Sequence, residues 1–190
     1  MGPLILLDVD GVVNILGEDD SPDGWDVVCS GRATAEGNTY PIVWSPEVVA
    51  ALKRWVDDGV EIQWLTTWGH DANRSLRELV DLPELPVAGT YDHEPAGVPE
   101  EPGRSHASDA PSAPDPLTGQ WWKYDVVQRI LREQPERTLI WIDDELHGGM
   151  RFRQWADEHP QVHAIGPDGD VGLTAEDLAA IEALLYPPEP

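Results

Sequence analysis

Asp8-Val9-Asp10-Gly11 places two carboxylates two residues apart at the end of a short apolar run, Leu4 to Val9. Side chains with that spacing on a strand point to the same side, and a glycine next in line lets the chain turn away sharply. One carboxylate of such a pair can attack a phosphorus while the other hands a proton to the leaving group. The competing reading is a calcium loop, which needs oxygen ligands at alternate positions and a Glu at the twelfth. Here Val12 would stand at the fifth position and Asp19 at the twelfth, so the calcium reading is poor.

Three further groups could join this pair. Thr66 and Thr67, followed by Trp68, end a second apolar stretch. A hydroxyl there can hold a phosphoryl oxygen, and the backbone N–H groups that follow add donors; a threonine at a strand end is also common without any such role. Lys123 is one of only two lysines, with Lys53. It stands at the start of a helical pattern, where a cation is locally unfavourable and calls for a carboxylate or phosphate partner; the plain alternative is an exposed lysine. Asp143-Asp144-Glu145 directly follows the apolar Trp141-Ile142. Adjacent acids repel one another, and a bound Mg²⁺ with its preference for oxygen ligands would explain them; helix capping is the alternative. His70 and His147 lie close to these groups, and Trp25, Trp44, Trp68, Trp121 and Trp122 are candidate site-lining aromatics. Core packing is the other use for most of the tryptophans.

The elements that must position these residues alternate. Short apolar runs at Leu4–Val9, Val60–Thr66, Leu85–Ala88, Thr138–Ile142 and Val162–Ile165 read as five buried strands. Helical periodicity follows Ser45-Pro46, an N-cap with proline at the first helical position, and ends at Gly59. It recurs near Asp71–Val80, Trp121–Glu133 and Met150–Glu158, and again after Thr174, where Asp177 is placed for a capping box. Residues 14–44 read as a flap or hairpin, and 92–119 as a long loop rich in Pro and Gly. Strands alternating with helices predict a doubly wound, mostly parallel α/β sheet in one domain over residues 1–190, with no large cap domain. In such sheets ligands bind beyond the carboxyl ends of the strands. That rule gathers Asp8, Asp10, Thr66, Thr67, Asp143 and Asp144 at one edge.

Composition narrows the function classes. The chain has 190 residues and a formal net charge of −24, which disfavours direct nucleic-acid binding except through a local basic patch. Its single cysteine, Cys29, excludes an intrachain disulfide scaffold. No basic leader and no apolar run of about 20 residues is visible, so the expectation is a cytoplasmic protein without membrane partners.

Asp8-x-Asp10-Gly11, Thr66, Lys123 and Asp143-Asp144, in this order, resemble the four motifs of the haloacid dehalogenase-like (HAD) superfamily, over roughly residues 3–186. The resemblance implies a Rossmann-like core and a Mg²⁺-dependent phosphatase working through an aspartyl-phosphate. Asp8 would be the nucleophile and a metal ligand. Asp10 would be the general acid and base, its backbone carbonyl also reaching the metal. Thr66 would bind the transferring phosphoryl group, and Lys123 would neutralise charge. Asp143 and Asp144 would complete the metal site, with Thr67, Trp68 and His70 near the substrate. A second acid at Asp10 points to phosphatases or phosphotransferases within the superfamily. A narrower resemblance lies in Leu65-Thr66-Thr67-Trp68-Gly69-His70-Asp71-Ala72-Asn73, in the Trp141–Glu145 stretch, and in Gly166-Pro167-Asp168 with Gly172-Leu173-Thr174. These look like the HAD domains associated with Swiss Army Knife RNA-repair proteins, which implies phosphate removal from a nucleotide or nucleic-acid end. Phosphoryl transfer to an acceptor and non-catalytic phosphate binding remain alternatives, and the substrate, small molecule or nucleic-acid end, is not fixed by the sequence.

Overall fold

The computed structural model describes residues 2–17, 25–90, 122–147 and 155–187. Trp121, the 92–119 stretch, residues 18–24 and most of the helix expected over Met150–Glu158 lie outside the described residues. In chain order the elements are β1 (Leu4–Leu7), β2 (Cys29–Ala35), β3 (Asn38–Trp44), α1 (Pro46–Asp57) and β4 (Glu61–Trp64). A π-helical turn (Ala72–Leu76) then runs into α2 (Arg77–Val80), followed by α3 (Trp122–Glu133) and β5 (Leu139–Ile142). A 3-10 turn (Asp144–Leu146), β6 (Val162–Ile165) and α4 (Ala175–Leu185) complete the described elements.

β1, β4, β5 and β6 form a parallel sheet in the order β4-β1-β5-β6, so the strand carrying Asp8 is an interior one. Alternation of side chains sorts the sheet into two cores. Ile5 and Leu7 of β1 and Ile140 and Ile142 of β5 face α1, α4 and the β2–β3 hairpin. Leu4, Leu6, Leu139 and Trp141 face the opposite way, onto Val127, Ile130 and Leu131 of α3. Both faces are therefore covered, which is why the strands read as unbroken apolar runs. The same alternation carries on past the strand ends. Asp8 follows Leu4 and Leu6, and Asp143 follows Leu139 and Trp141, so both acids fall on the α3 side.

The helix signals act as their chemistry dictates. Ser45 Oγ accepts from Glu47 N–H at 3.2 Å, and Gly59 takes the left-handed conformation that closes α1. Thr174 and Asp177 form a reciprocal capping box at the start of α4. The stretch 14–44 contains the antiparallel β2–β3 pair, joined at Glu36-Gly37 with both residues at positive φ. Two such residues in sequence give a turn whose twist suits a tight hairpin. Its tip is pinned to the π-helical segment. Glu36 N–H donates to Asp71 Oδ2 at 2.9 Å, and Thr34 N–H donates to Ser75 Oγ at 2.7 Å.

One expected strand is replaced by something smaller. The parallel sheet has four strands among the described residues, not five, because Leu85–Ala88 contributes only a single parallel bridge, Val87 to Trp64. Pro86 has no N–H with which to carry that ladder back toward Leu85, and Leu85 itself is held by Asn73. Its side-chain oxygen accepts from Leu85 N–H at 3.1 Å, and its amide donates to Leu85 C=O at 2.6 Å. An amide side chain thus fixes Leu85 from the side away from β4, while Pro86 C=O and Ala88 N–H make the bridge to Trp64. The same Asn73 oxygen accepts from Trp64 Nε1 at 3.1 Å, and Trp64 is fully buried.

Removing that amide leaves a buried indole N–H and the Leu85 backbone without partners. Each unsatisfied buried group costs about 1–3 kcal/mol. Asn73→Ala is expected to lower unfolding free energy by about 2–4 kcal/mol, measured by urea denaturation with an unchanged m-value; a loss below about 0.5 kcal/mol would refute the assigned role.

Candidate active site

Strand ends and one helix start bring the chemistry-bearing residues together. Asp8 leaves β1, Asp143 leaves β5, and Lys123 is the second residue of α3. Lys123 Nζ lies 2.6 Å from Asp8 Oδ2, 2.8 Å from Asp143 Oδ2 and 3.5 Å from Glu145 Oε2. Asp8 is 5%, Lys123 2% and Asp143 0% exposed, so this is a buried ionic cluster. Burial opposes the charge on Lys123, but the carboxylates of Asp8, Asp143 and Glu145 outweigh it and hold the ammonium protonated well above its ordinary range. Those carboxylates are the partners that a lysine at a helix N-terminus demanded.

The other oxygen of each acid also accepts a hydrogen bond. Val9 N–H donates to Asp8 Oδ1 at 2.7 Å. Glu145 N–H donates to Asp143 Oδ1 at 3.1 Å, and Trp141 Nε1 donates to Asp143 Oδ2 at 3.3 Å. Asp143 thus caps the 3-10 turn while serving the site. Its carboxyl is driven well above the usual range by burial and by the nearby Asp8 charge.

Asp144 is wedged against two glycines. A Cβ on Gly11, which sits at φ +68, would overlap the Asp144 carboxylate, and a Cβ on Gly169 would come within 2.9 Å of Asp144 Oδ2. Asp8, Asp143 and Asp144 each offer a carboxylate oxygen, and these oxygens lie within 4.8 Å of one another. Burial, with the Asp8 charge next, pushes Asp144 from its ordinary 3.8 to about 6. Carboxylates crowded this closely, with Lys123 as the cation beside them, form a donor set that fits a hard divalent cation such as Mg²⁺. The Asp10 carboxylate does not belong to this oxygen cluster.

Asp10 lies instead between two donors. Asn14 Nδ2 donates to Oδ1 and Trp68 Nε1 donates to Oδ2, each at 2.8 Å. Burial raises its carboxyl above the ordinary value, against the lowering effect of the Asn14 and Trp68 hydrogen bonds. Thr66 is fully buried after β4, and its Oγ accepts from Trp68 N–H at 3.3 Å. Thr67 and His70 are exposed on the turn that follows. His147 is exposed and its Nδ1 pairs with Gly166 C=O at 3.0 Å.

Of the aromatic candidates, Trp68 is the one bonded to Asp10. Trp25 belongs to the core and donates to Leu173 C=O at 2.7 Å, Trp44 packs against that core, and Trp122 lies in the α3-side core. Sequence reading missed Asn14, Gly169 and the indole of Trp141. Asn14 carried a faint signal, a polar residue just beyond the Asp10-Gly11 turn among apolar neighbours. Gly169 and Trp141 act through contacts no local pattern encodes.

The chain matches the family described as the HAD domain in Swiss Army Knife RNA repair proteins over residues 4–178. No curated protein and no solved structure gave a significant match.

A carboxyl whose folded value is raised keeps a proton that the unfolded chain has already lost. For Asp144 that holds between about pH 4 and about pH 6, so folding stability declines as pH rises through that window and stays lower above it. Asp144→Asn lacks this decline. In EDTA, the melting temperature of Asp144→Asn relative to wild type is expected to climb from pH 4 to pH 7. Added Mg²⁺ at pH 7 should raise wild type more than the variant. A pH-independent difference between the two proteins would contradict the crowding inferred for this carboxylate.

With residues 4–178 matched, a parallel sheet packed between helices, and an acidic cluster able to hold a metal, this chain belongs to the family of HAD domains found in Swiss Army Knife RNA repair proteins, whose chemistry is of the phosphohydrolase type.

Proposed function

We propose that the protein is a divalent-metal-dependent phosphatase that forms a phospho-enzyme on Asp8. The observation that carries this reading is the placement of the Asp8 carboxylate. It sits at the end of an interior strand, 2.6 Å from a buried ammonium and beside Asp143 and Asp144. A carboxylate needs a neutralised surrounding to approach a phosphate, which is itself an anion.

In this reading an Asp8 oxygen attacks phosphorus, the bond from phosphorus to the leaving oxygen breaks, and Asp10 passes its proton to that oxygen. Water then attacks the phosphoryl group on Asp8, Asp10 takes the water's proton, and phosphate departs with Asp8 restored. Lys123 offsets negative charge between nucleophile and phosphoryl group, and Thr66 with the N–H groups after it holds a phosphoryl oxygen. Asp8, Asp143 and Asp144 would hold Mg²⁺, with the Asp10 backbone carbonyl as a further ligand; when bound, it supplies charge neutralisation and orients the phosphate. Thr67 and His70, exposed beside Thr66, are placed to meet the rest of the substrate.

The substrate is a phosphomonoester, and the family's association with RNA repair favours a nucleotide or nucleic-acid end. With a net charge of −24, recognition would centre on the terminal phosphate and its nucleotide, not on a long stretch of backbone. A cytoplasmic setting suits a chain with one cysteine. Among the described residues no helix is long and apolar enough to cross a membrane.

The test is phosphate release from a phosphomonoester panel that includes 5′- and 3′-phosphorylated oligonucleotides, with Mg²⁺ or EDTA. Wild type should release phosphate only with the metal. Asp8→Asn should lose roughly three orders of magnitude or more in kcat while staying folded. Release that survives in Asp8→Asn would refute the nucleophile assignment. Phosphate appearing only on an added acceptor hydroxyl would convert the reading to phosphoryl transfer.

A further inference from the structure

Both oxygens of the Asp10 carboxyl are held by side chains, and both of those side chains reach the β2–β3 hairpin. Asn14 Nδ2 and Trp68 Nε1 each donate at 2.8 Å, to Oδ1 and Oδ2 respectively. The other end of the Asn14 amide, Oδ1, accepts from Val43 N–H of β3 at 3.0 Å. The ring of Trp68 meets Tyr40 of β3, with centroids 5.7 Å apart and planes tilted by 59°. Asn14 is 4% and Trp68 6% exposed, so neither is a surface group that happens to touch Asp10.

The terminal torsion of an aspartate is broad, and an unsupported carboxyl swings about it. Two donors on opposite oxygens define its plane. A proton donor must lie within hydrogen-bond reach of the leaving oxygen as the bond breaks, and small misplacement is costly.

We propose that Asn14 and Trp68 are positioning residues that fix the plane and reach of the Asp10 carboxyl toward the leaving-group oxygen, with the β2–β3 hairpin as their common anchor. This rests on the reading of Asp10 as proton donor given above. The bond from phosphorus to the leaving oxygen breaks with its electron pair going to that oxygen. Asp10's proton is transferred there at the same time, and the attacking water later restores it.

Leaving groups separate positioning from packing. The full-length protein with Mg²⁺ is assayed on 4-nitrophenyl phosphate, whose phenolate leaves without a proton, and on glycerol 2-phosphate, whose alkoxide needs one. Trp68→Phe keeps an aromatic ring, though a smaller one, and deletes the donor. Its kcat should fall about tenfold more on the alkyl than on the aryl ester, a part of the full general-acid contribution, with KM within about twofold. In an Asp10→Asn background the same change should add no further selective loss, because its route of action is gone. Asn14→Ala should show the same selectivity, and either variant decides the matter if the other folds poorly. Equal losses on both esters, or a loss that multiplies with Asp10→Asn, would overturn the proposal. Asp8→Asn is the separate control: full activity there would overturn the reading of the site itself, whatever Trp68→Phe does.

Discussion

Lys123 places a positive charge between Asp8 and Asp143 where water scarcely reaches any of the three. Burying a charge is costly unless it is paired and hydrogen-bonded, and breaking such a pair is more damaging than never having built it. The geometry around this contact is accordingly strict. β1 and β5 must be neighbours in parallel register, with Leu7 beside Ile142, for Asp8 and Asp143 to stand together. α3 must begin on the face that Leu4, Leu6 and Trp141 cover, so that its second residue meets them. A shift of one residue in either strand would turn its acid to the opposite face and leave the ammonium short of a partner. A buried pair of this kind is weak evidence for stability, and its geometry here follows from the register of β1 and β5.

That constraint explains why the sheet and the candidate site were largely legible in the sequence. Asp8, Thr66 and Asp143 each follow a buried strand, and an apolar run ending in a polar group is a local signal that survives folding. Lys123 was legible through an electrostatic conflict, a cation at a helix start. The capping signals at Ser45 and Thr174 are equally local, and both caps formed. Leu85–Ala88 misled because its apolar residues suit a strand, while Pro86 has no N–H to extend the ladder and Asn73, twelve residues earlier on a helical segment, holds Leu85 from the other side. Hydrophobic pattern cannot reveal that an amide side chain will take the place of a neighbouring strand.

Asn14 and Gly169 escaped for a different reason. Their roles are defined by what surrounds them. Asn14 matters because Asp10 and Val43 lie on either side of it. Gly169 matters because the Asp144 carboxylate occupies the space where a Cβ would stand. Such residues are chosen by packing around a functional group, and packing is a property of three-dimensional neighbours.

The two aspartates of the first motif consequently sit in different physical settings although only Val9 separates them. Asp8 faces a buried ammonium and the oxygens of Asp143 and Asp144, an environment dominated by full charges. Asp10, past the start of the Gly11 turn, faces two neutral N–H donors in a partly buried position. Desolvation raises the Asp10 carboxyl above its ordinary value, against the two donors that hold it. The proposed division of roles, attack by Asp8 and proton transfer by Asp10, rests on this difference, since unlike surroundings divide roles between paired carboxylates generally. The turn at Gly11 creates that difference. Beyond the end of β1 at Leu7 the chain bends back on Val9 C=O and carries Asp10 to Asn14 and Trp68, and the bare Gly11 leaves the space that the Asp144 carboxylate occupies.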